Sequence, residues 1–373
     1  MPMQEAQRFA SRTKNRSRQM SRFFSGKYSL LTPYTPGEQP KDMKYVKLNT
    51  NESPYPPSKG VYEAVRKEAE RLHLYSDPEC TELTQKIANR YGVCADQVLV
   101  TNGSDEILNF AFMAFCDSNR GIAFADITYG FYSVFAELNN IKYKIVPLKD
   151  DFTIDLSDYY ELEENIVIAN PNAPTGIALP RDEIEKLVRS NPNRVVIVDE
   201  AYVDFGAESC VPLVEKYDNL LVTMTFSKSR SMAGGRIGFG IGSKELICDL
   251  NTIKYSTNPY NVNRLSQIAG SRAIDEDEYY MNNAKEIIKT REYTKKKLEA
   301  LGFEVLSSSA NFLFAKSDKI NGEELYLKLK QRGVLVRHFT KPKIADFNRI
   351  TIGTREQMDV LLTQIKAILE GEK

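Results

Sequence analysis

The sequence predicts an α/β protein: a large domain with a mostly parallel sheet covered by helices, plus a smaller C-terminal α/β domain. Three observations carry this expectation. Short apolar runs such as Val195-Val-Ile-Val198 alternate with segments of helical period, and strands apolar on both faces belong to sheets buried on both sides. The chain has 373 residues, 42% of them hydrophobic, enough for more than one core. After Lys285 the texture changes to a long charged helical segment followed by short strands.

The elements follow in order. Gln97 to Thr101 reads as a strand and Ile107 to Phe115 as a buried helix; Ile122 to Ala125 is a strand, followed by an amphipathic Phe131 to Leu138. Lys142 to Leu148 and Asn165 to Ala169 are strands, Arg181 to Arg189 a helix, and Arg194 to Asp199 and Leu220 to Phe226 further strands. The expected large domain spans 46–284. The smaller one, 285–373, begins with a helix ending near Leu301-Gly302. It continues through strands at Phe303 to Leu306, Phe312 to Ala315 and Arg349 to Gly353, and closes with a helix from Arg355 to Leu369. In covered parallel sheets, ligands gather at the carboxyl ends of the strands.

Composition removes several function classes. Lys plus Arg and Asp plus Glu are both 50, which leaves no basic excess for neutralising nucleic-acid phosphates. No apolar run approaches the ~20 residues of a membrane helix. The five cysteines are scattered without a Cys-x-x-Cys pair, as expected of a reducing, cytoplasmic setting rather than a disulfide framework. Two distant histidines, His73 and His338, offer little to a zinc site, and no Gly-x-Ser-x-Gly elbow marks a serine nucleophile. Residues 1–22 carry Arg8, Arg12, Lys14, Arg16, Arg18 and Arg22 against Glu5, without an apolar stretch. That excludes a secretory signal. A transit peptide or nucleic-acid tail would suit the composition, but the expectation is a disordered or non-native extension, with Met20 as an alternative start.

Chemistry-bearing residues fall just past the strands. Asn102-Gly103-Ser104-Asp105-Glu106 opens a helix, where successive N–H groups form either an ordinary cap or an anion site. Tyr129 follows the next strand and could stack on a planar ligand or simply pack. Asn170-Pro-Asn-Ala-Pro-Thr-Gly176 is a rigid loop with Asn172 placed to offer an amide. Asp199 ends an apolar strand, where a partly desolvated carboxylate needs a partner. A cationic ring nitrogen would supply one, with Tyr202 donating to an oxygen on the same ring; alternatively Asp199 caps the next segment. Lys228 follows Leu220 to Met224 by way of Thr225-Phe-Ser227, and a lysine at a strand end in a cleft is suited to forming a Schiff base. Ser227 and Arg236 would supply a hydroxyl and a guanidinium to a phosphate. Together these meet the needs of a pyridine-ring phosphate cofactor.

These segments, with Asn51-Glu-Ser-Pro-Tyr55 and Tyr75-Ser-Asp-Pro78, stand in the order seen in fold-type I pyridoxal-phosphate aminotransferases. The resemblance runs from about Phe23 to the C-terminus and is nearest to the histidinol-phosphate aminotransferases. It implies pyridoxal 5′-phosphate as cofactor, with Lys228 holding it and shuttling the proton, Asp199 keeping the ring nitrogen protonated, Tyr202 on the ring hydroxyl and Tyr129 stacked. Gly103, Ser104, Ser227 and Arg236 would hold the phosphate, with Asp105 in the cofactor-binding set and Tyr75 reaching in from the second subunit of a homodimer. Tyr55, Arg337 and Arg349 would hold substrate phosphate or carboxylate, and segment 23–45 would pack with the small domain. The family usually has Asn immediately before Pro-Thr-Gly, and here that position is Ala173; either Asn172 reaches in or Tyr202 acts without that partner. The implied reaction moves an amino group between histidinol phosphate and 2-oxoglutarate in histidine biosynthesis. Aromatic aminotransferases and threonine-phosphate decarboxylases share these motifs, as do regulators with an aminotransferase-like domain. The regulators need a DNA-binding module, for which the residues before Gly26 are too few.

Overall fold

The computed structural model describes residues 21–29 and 31–371, so the basic stretch up to residue 20 lies outside the described residues. The described residues divide between Tyr34 and Thr35 into two units. In the first, Gly26–Tyr28 is a single 3-10 turn. The second contains every predicted site residue.

Thirteen strands are described: β1 Val46–Lys47, β2 Val98–Thr101, β3 Ile122–Ala125, β4 Tyr143–Val146, β5 Asn165–Ala169, β6 Val196–Asp199, β7 Leu220–Thr225, β8 Gly238–Ile241, β9 Phe303–Val305, β10 Phe312–Ser317, β11 Val334–Leu335, β12 Arg337–His338 and β13 Asn348–Thr351. The large sheet has the order β2-β8-β7-β6-β5-β3-β4. Its pairs are parallel except for β8, which runs antiparallel to both β2 and β7. Alternate residues of the same strands enter two cores. Ile166, Ile168, Val196, Val198 and Val222 pack on one face, and Val167, Ile197 and Leu221 on the other, as the two-residue period of a covered sheet requires.

Strand β8 has no counterpart among the expected elements. Its Gly238-Phe-Gly-Ile sequence alternates glycine with apolar residues and carries a weak strand signal. The glycine has a positional reason: a Cβ on Gly238 would lie 2.3 Å from both the Gly103 carbonyl carbon and the Ser104 nitrogen. Only a bare backbone lets the turn after β2 settle there. Register places Gly238 between Thr101 and Thr225.

A second, antiparallel sheet has the order β12-β13-β10-β9, and β1 pairs in parallel with β11. The helix Asp277–Ala300 is continuous through position 284/285. It gives Tyr280 to a large-sheet core and Ala284, Ile287 and Leu298 to the core under the second sheet. The expected boundary thus falls inside a helix shared by the two cores.

Candidate active site

The carboxyl ends of β5, β6 and β7 and the turn after β2 enclose a cavity of about 230 Å³. Ser104, Asp105, Tyr129, Asp199, Tyr202, Ser227, Lys228 and Arg236 all line it. Register explains part of this convergence, because Ala169, Asp199 and Thr223 are neighbours across three strands.

Asp199 is buried, with Oδ2 accepting from Tyr132 Oη at 2.9 Å and Oδ1 from the Ala201 N–H at 3.2 Å. Burial pushes its carboxyl up to about 6, against the pull of those two donors. A cation brought to this oxygen pair would restore the charged form. Sequence reasoning misses Tyr132, although it lies one helical turn after Tyr129 and is fully buried. Lys228 follows β7, its Nζ donating to the Thr50 carbonyl at 3.4 Å and lying 5.6 Å from the Tyr202 ring centre. Tyr202 packs edge-on against Phe312 at 5.1 Å.

The same cavity gathers anion-binding groups. Helix Ser104–Phe115 begins there, with Gly103 at φ +79°. Arg236 Nη1 donates to Ser227 Oγ at 3.4 Å, and Nη2 pairs with Asp105 Oδ2 at 3.0 Å. A Cβ on Gly103 would meet that guanidinium at 2.4 Å, so glycine there is what allows Arg236 to lie beside the helix start. Asp105 also accepts from Tyr129 Oη at 2.6 Å and so ties the aromatic wall to the arginine.

The other predicted residues lie elsewhere. Asn172 is buried beneath the loop, its Nδ2 donating to the Ile127 carbonyl at 2.9 Å and to Thr175 Oγ1 at 3.1 Å. Ala173 takes the cavity wall instead. Tyr55 packs against the core of the second sheet. Arg337 and Arg349 are directly paired across β12 and β13, and both contact the Phe339 ring, at 5.7 and 5.8 Å from its centre. Arg349 Nη2 also donates to the Asn49 carbonyl at 3.1 Å and sits 5.4 Å from the Phe312 ring that contacts Tyr202. Tyr75 is 81% exposed, stacked on Tyr260 at 4.8 Å and outside the cavity of its own chain. Thr50 and Glu52 do line the cavity. Glu52 belongs to the Asn51-Glu-Ser-Pro-Tyr motif, from which sequence reasoning draws a role for Tyr55 alone. Among the described residues no cluster of side chains could hold a metal ion, and no helix is long and apolar enough to cross a membrane.

A buried carboxylate, an arginine beside serines and a helix start, and a lysine beside an aromatic wall, all lining one cavity, suit a phosphorylated pyridine ring. The residues fit pyridoxal 5′-phosphate: Asp199 would answer its ring nitrogen, and Ser104, Ser227 and Arg236 its phosphate. Residues 43–365 match the family described as aminotransferase class I and II. The chain belongs to that family of pyridoxal-phosphate-dependent enzymes, and within it to the histidinol-phosphate aminotransferases. The histidinol-phosphate aminotransferase of Brachyspira hyodysenteriae is 51% identical over 354 residues, 94% of this chain and 100% of that protein. Its counterpart from Clostridium beijerinckii is 48% identical over 355 residues, 95% and 99% of the two chains. The fold is also that of the histidinol-phosphate aminotransferase from Sinorhizobium meliloti, solved in complex with pyridoxal-5′-phosphate. The TM-score is 0.80 at 20% identity, over 88% of this chain and 92% of that one.

Proposed function

We propose that this chain transfers the amino group of L-histidinol phosphate to 2-oxoglutarate, giving imidazole-acetol phosphate and glutamate in histidine biosynthesis. The names of relatives sharing about half of its residues support this reading. The structural observation that carries it is the cross-strand pairing of Arg337 with Arg349, of which Arg349 lies one aromatic ring, Phe312, away from Tyr202. Two cationic side chains rooted at paired strand positions suit an anionic substrate, and this reaction alternates a phosphate and carboxylates in one place.

The bound cofactor supplies an electron sink for the pair left behind when the substrate Cα loses its proton. Lys228 would carry that proton, Asp199 would keep the ring nitrogen charged, and Tyr202 would donate to the ring oxygen. Tyr129 would cover the ring face, while Gly103, Ser104, Asp105, Ser227 and Arg236 form the phosphate end. Asn172 acts on the cavity only through the loop it braces, and Tyr55 would close the substrate side. A cytoplasmic homodimer completes the proposal, with Tyr75 serving the neighbouring site. Its support is an exposed apolar patch in which Leu72, Leu74, Tyr75 and Tyr260 are all 47% exposed or more.

Arg337→Ala tests the substrate assignment. A charge-assisted pair to phosphate is worth roughly tenfold to a hundredfold in kcat/KM, so histidinol phosphate should lose that factor relative to phenylalanine. Equal losses on both would make Arg337 a general anion holder and remove its support for the histidine pathway.

A further inference from the structure

One buried amide outside the assigned set faces the cavity's phenol. Asn51 is 1% exposed, sits at φ +57°, and donates from Nδ2 to Tyr202 Oη at 2.9 Å. Thr351 fixes which end of the amide points where. Its hydroxyl oxygen accepts the Asn51 backbone N–H at 3.0 Å. Its own hydrogen, also buried, needs an acceptor, and Asn51 Oδ1 provides one at 3.0 Å. The carbonyl end is therefore committed to Thr351, and the NH₂ end must face Tyr202. Asn311 Nδ2 holds the Asn51 carbonyl at 3.0 Å, so the residue is clamped at both its side chain and its backbone.

A phenol has one hydrogen. Because Tyr202 Oη accepts from Asn51, that hydrogen is not spent on Asn51. The ring's other neighbours are the apolar Phe312, Ala173 and Ala310 and Lys228, whose Nζ lies 5.6 Å from the ring centre and which itself lines the cavity. The cavity is the direction left for it.

We propose that Asn51 is a positioning residue of the reaction: it commits Tyr202 as a hydrogen-bond donor into the cavity, toward the ring oxygen of the bound cofactor. The role holds for any amino donor and does not depend on the histidinol phosphate assignment.

Asn51→Asp keeps the shape and reverses the polarity, since a carboxylate would draw the Tyr202 hydrogen to itself. The variant, Tyr202→Phe and the double variant are compared by cofactor dissociation constant, by the pH midpoint of the bound cofactor's absorbance, and by kcat and KM with glutamate. Asn51→Asp should weaken cofactor binding and lower kcat by roughly tenfold each, the size of one hydrogen bond to a charged group. KM should stay within about twofold, since the contact is to the cofactor and not to glutamate. The absorbance midpoint should move upward, because donation to the ring oxygen favours its anionic form. In the Tyr202→Phe background the same substitution should cost at least about threefold less, as coupled residues do. An equal cost in both backgrounds, or an unmoved midpoint, would overturn the proposal. Thr351→Val and Thr351→Ser give a charge-free arm that also decides the matter if Asn51→Asp does not fold. Loss of the hydroxyl should free the amide to turn and raise the midpoint, while serine should behave as the unmodified protein. Identical behaviour of the two would contradict the role given to Asn51.

Discussion

Lys228 illustrates what a single residue's position settles. It stands just past β7, on the cavity wall with Asp199 and Tyr202, with a backbone carbonyl at 3.4 Å as its hydrogen-bond partner. Removing its amine should leave a folded protein that still binds the cofactor, because Arg236, Ser227 and Asp199 remain. Lys228→Ala is expected to lose transamination to background, which borohydride trapping and peptide mapping check directly. Retained turnover, or a trapped adduct on a different lysine, would be incompatible with this assignment. Strand-end residues of this kind are legible in the sequence because a charged group after a buried apolar run has few innocent explanations. Tyr132 and Asn51 are not legible in that way. Each acts through a side chain far off in the chain, Asp199 for one and Tyr202 for the other.

At the scale of elements, β6 delivers two neighbouring carboxyls to opposite surroundings. Asp199 faces the cavity, whereas Glu200 is buried on the far side, accepting from Ser209 Oγ at 2.7 Å and the Cys210 N–H at 2.5 Å. Burial pushes Glu200 from 4.5 up to about 7. Its folded form therefore holds a proton more tightly than the unfolded chain, so this contribution to stability is complete below 4.5 and lost as pH rises through about 7. Asp199 acts in the same direction between 3.8 and about 6 while no cation faces it. The cofactor-free protein should therefore melt lower at high pH than at mildly acidic pH. Glu200→Gln should shrink the drop between pH 6 and 8 by about 1–2 °C, as scanning calorimetry would measure. An unchanged drop would place the ionisation elsewhere. The strands themselves follow the apolar runs to within a residue or two, since a strand buried on both faces has no competing pattern. Strand β8 escapes because it alternates glycine with apolar residues, Gly238 making room for the turn beside it, and the expected break at 284/285 lies within one helix that contributes to two cores.

For the whole molecule, long-range pairing is what sequence order conceals. Arg337 and Arg349 are legible as candidate anion binders, but their direct opposition is a matter of register between β12 and β13. Tyr75 raises the same question for the proposed homodimer, since it does not line the cavity of its own chain and its ring is exposed. Mixing inactive Lys228→Ala subunits with inactive Tyr75→Phe subunits should restore activity, because a hybrid dimer carries both lesions in one site and leaves the other whole. No recovery on subunit exchange would mean that Tyr75 serves its own chain, and full activity of Tyr75→Phe alone would end its catalytic role. The substrate assignment is tested most directly by single-turnover amino transfer from histidinol phosphate, phenylalanine and threonine phosphate to the purified holoenzyme, followed by cofactor absorbance. Histidinol phosphate should react with the highest kcat/KM, by about tenfold or more over phenylalanine. A preference for phenylalanine, or release of carbon dioxide from threonine phosphate, would contradict it.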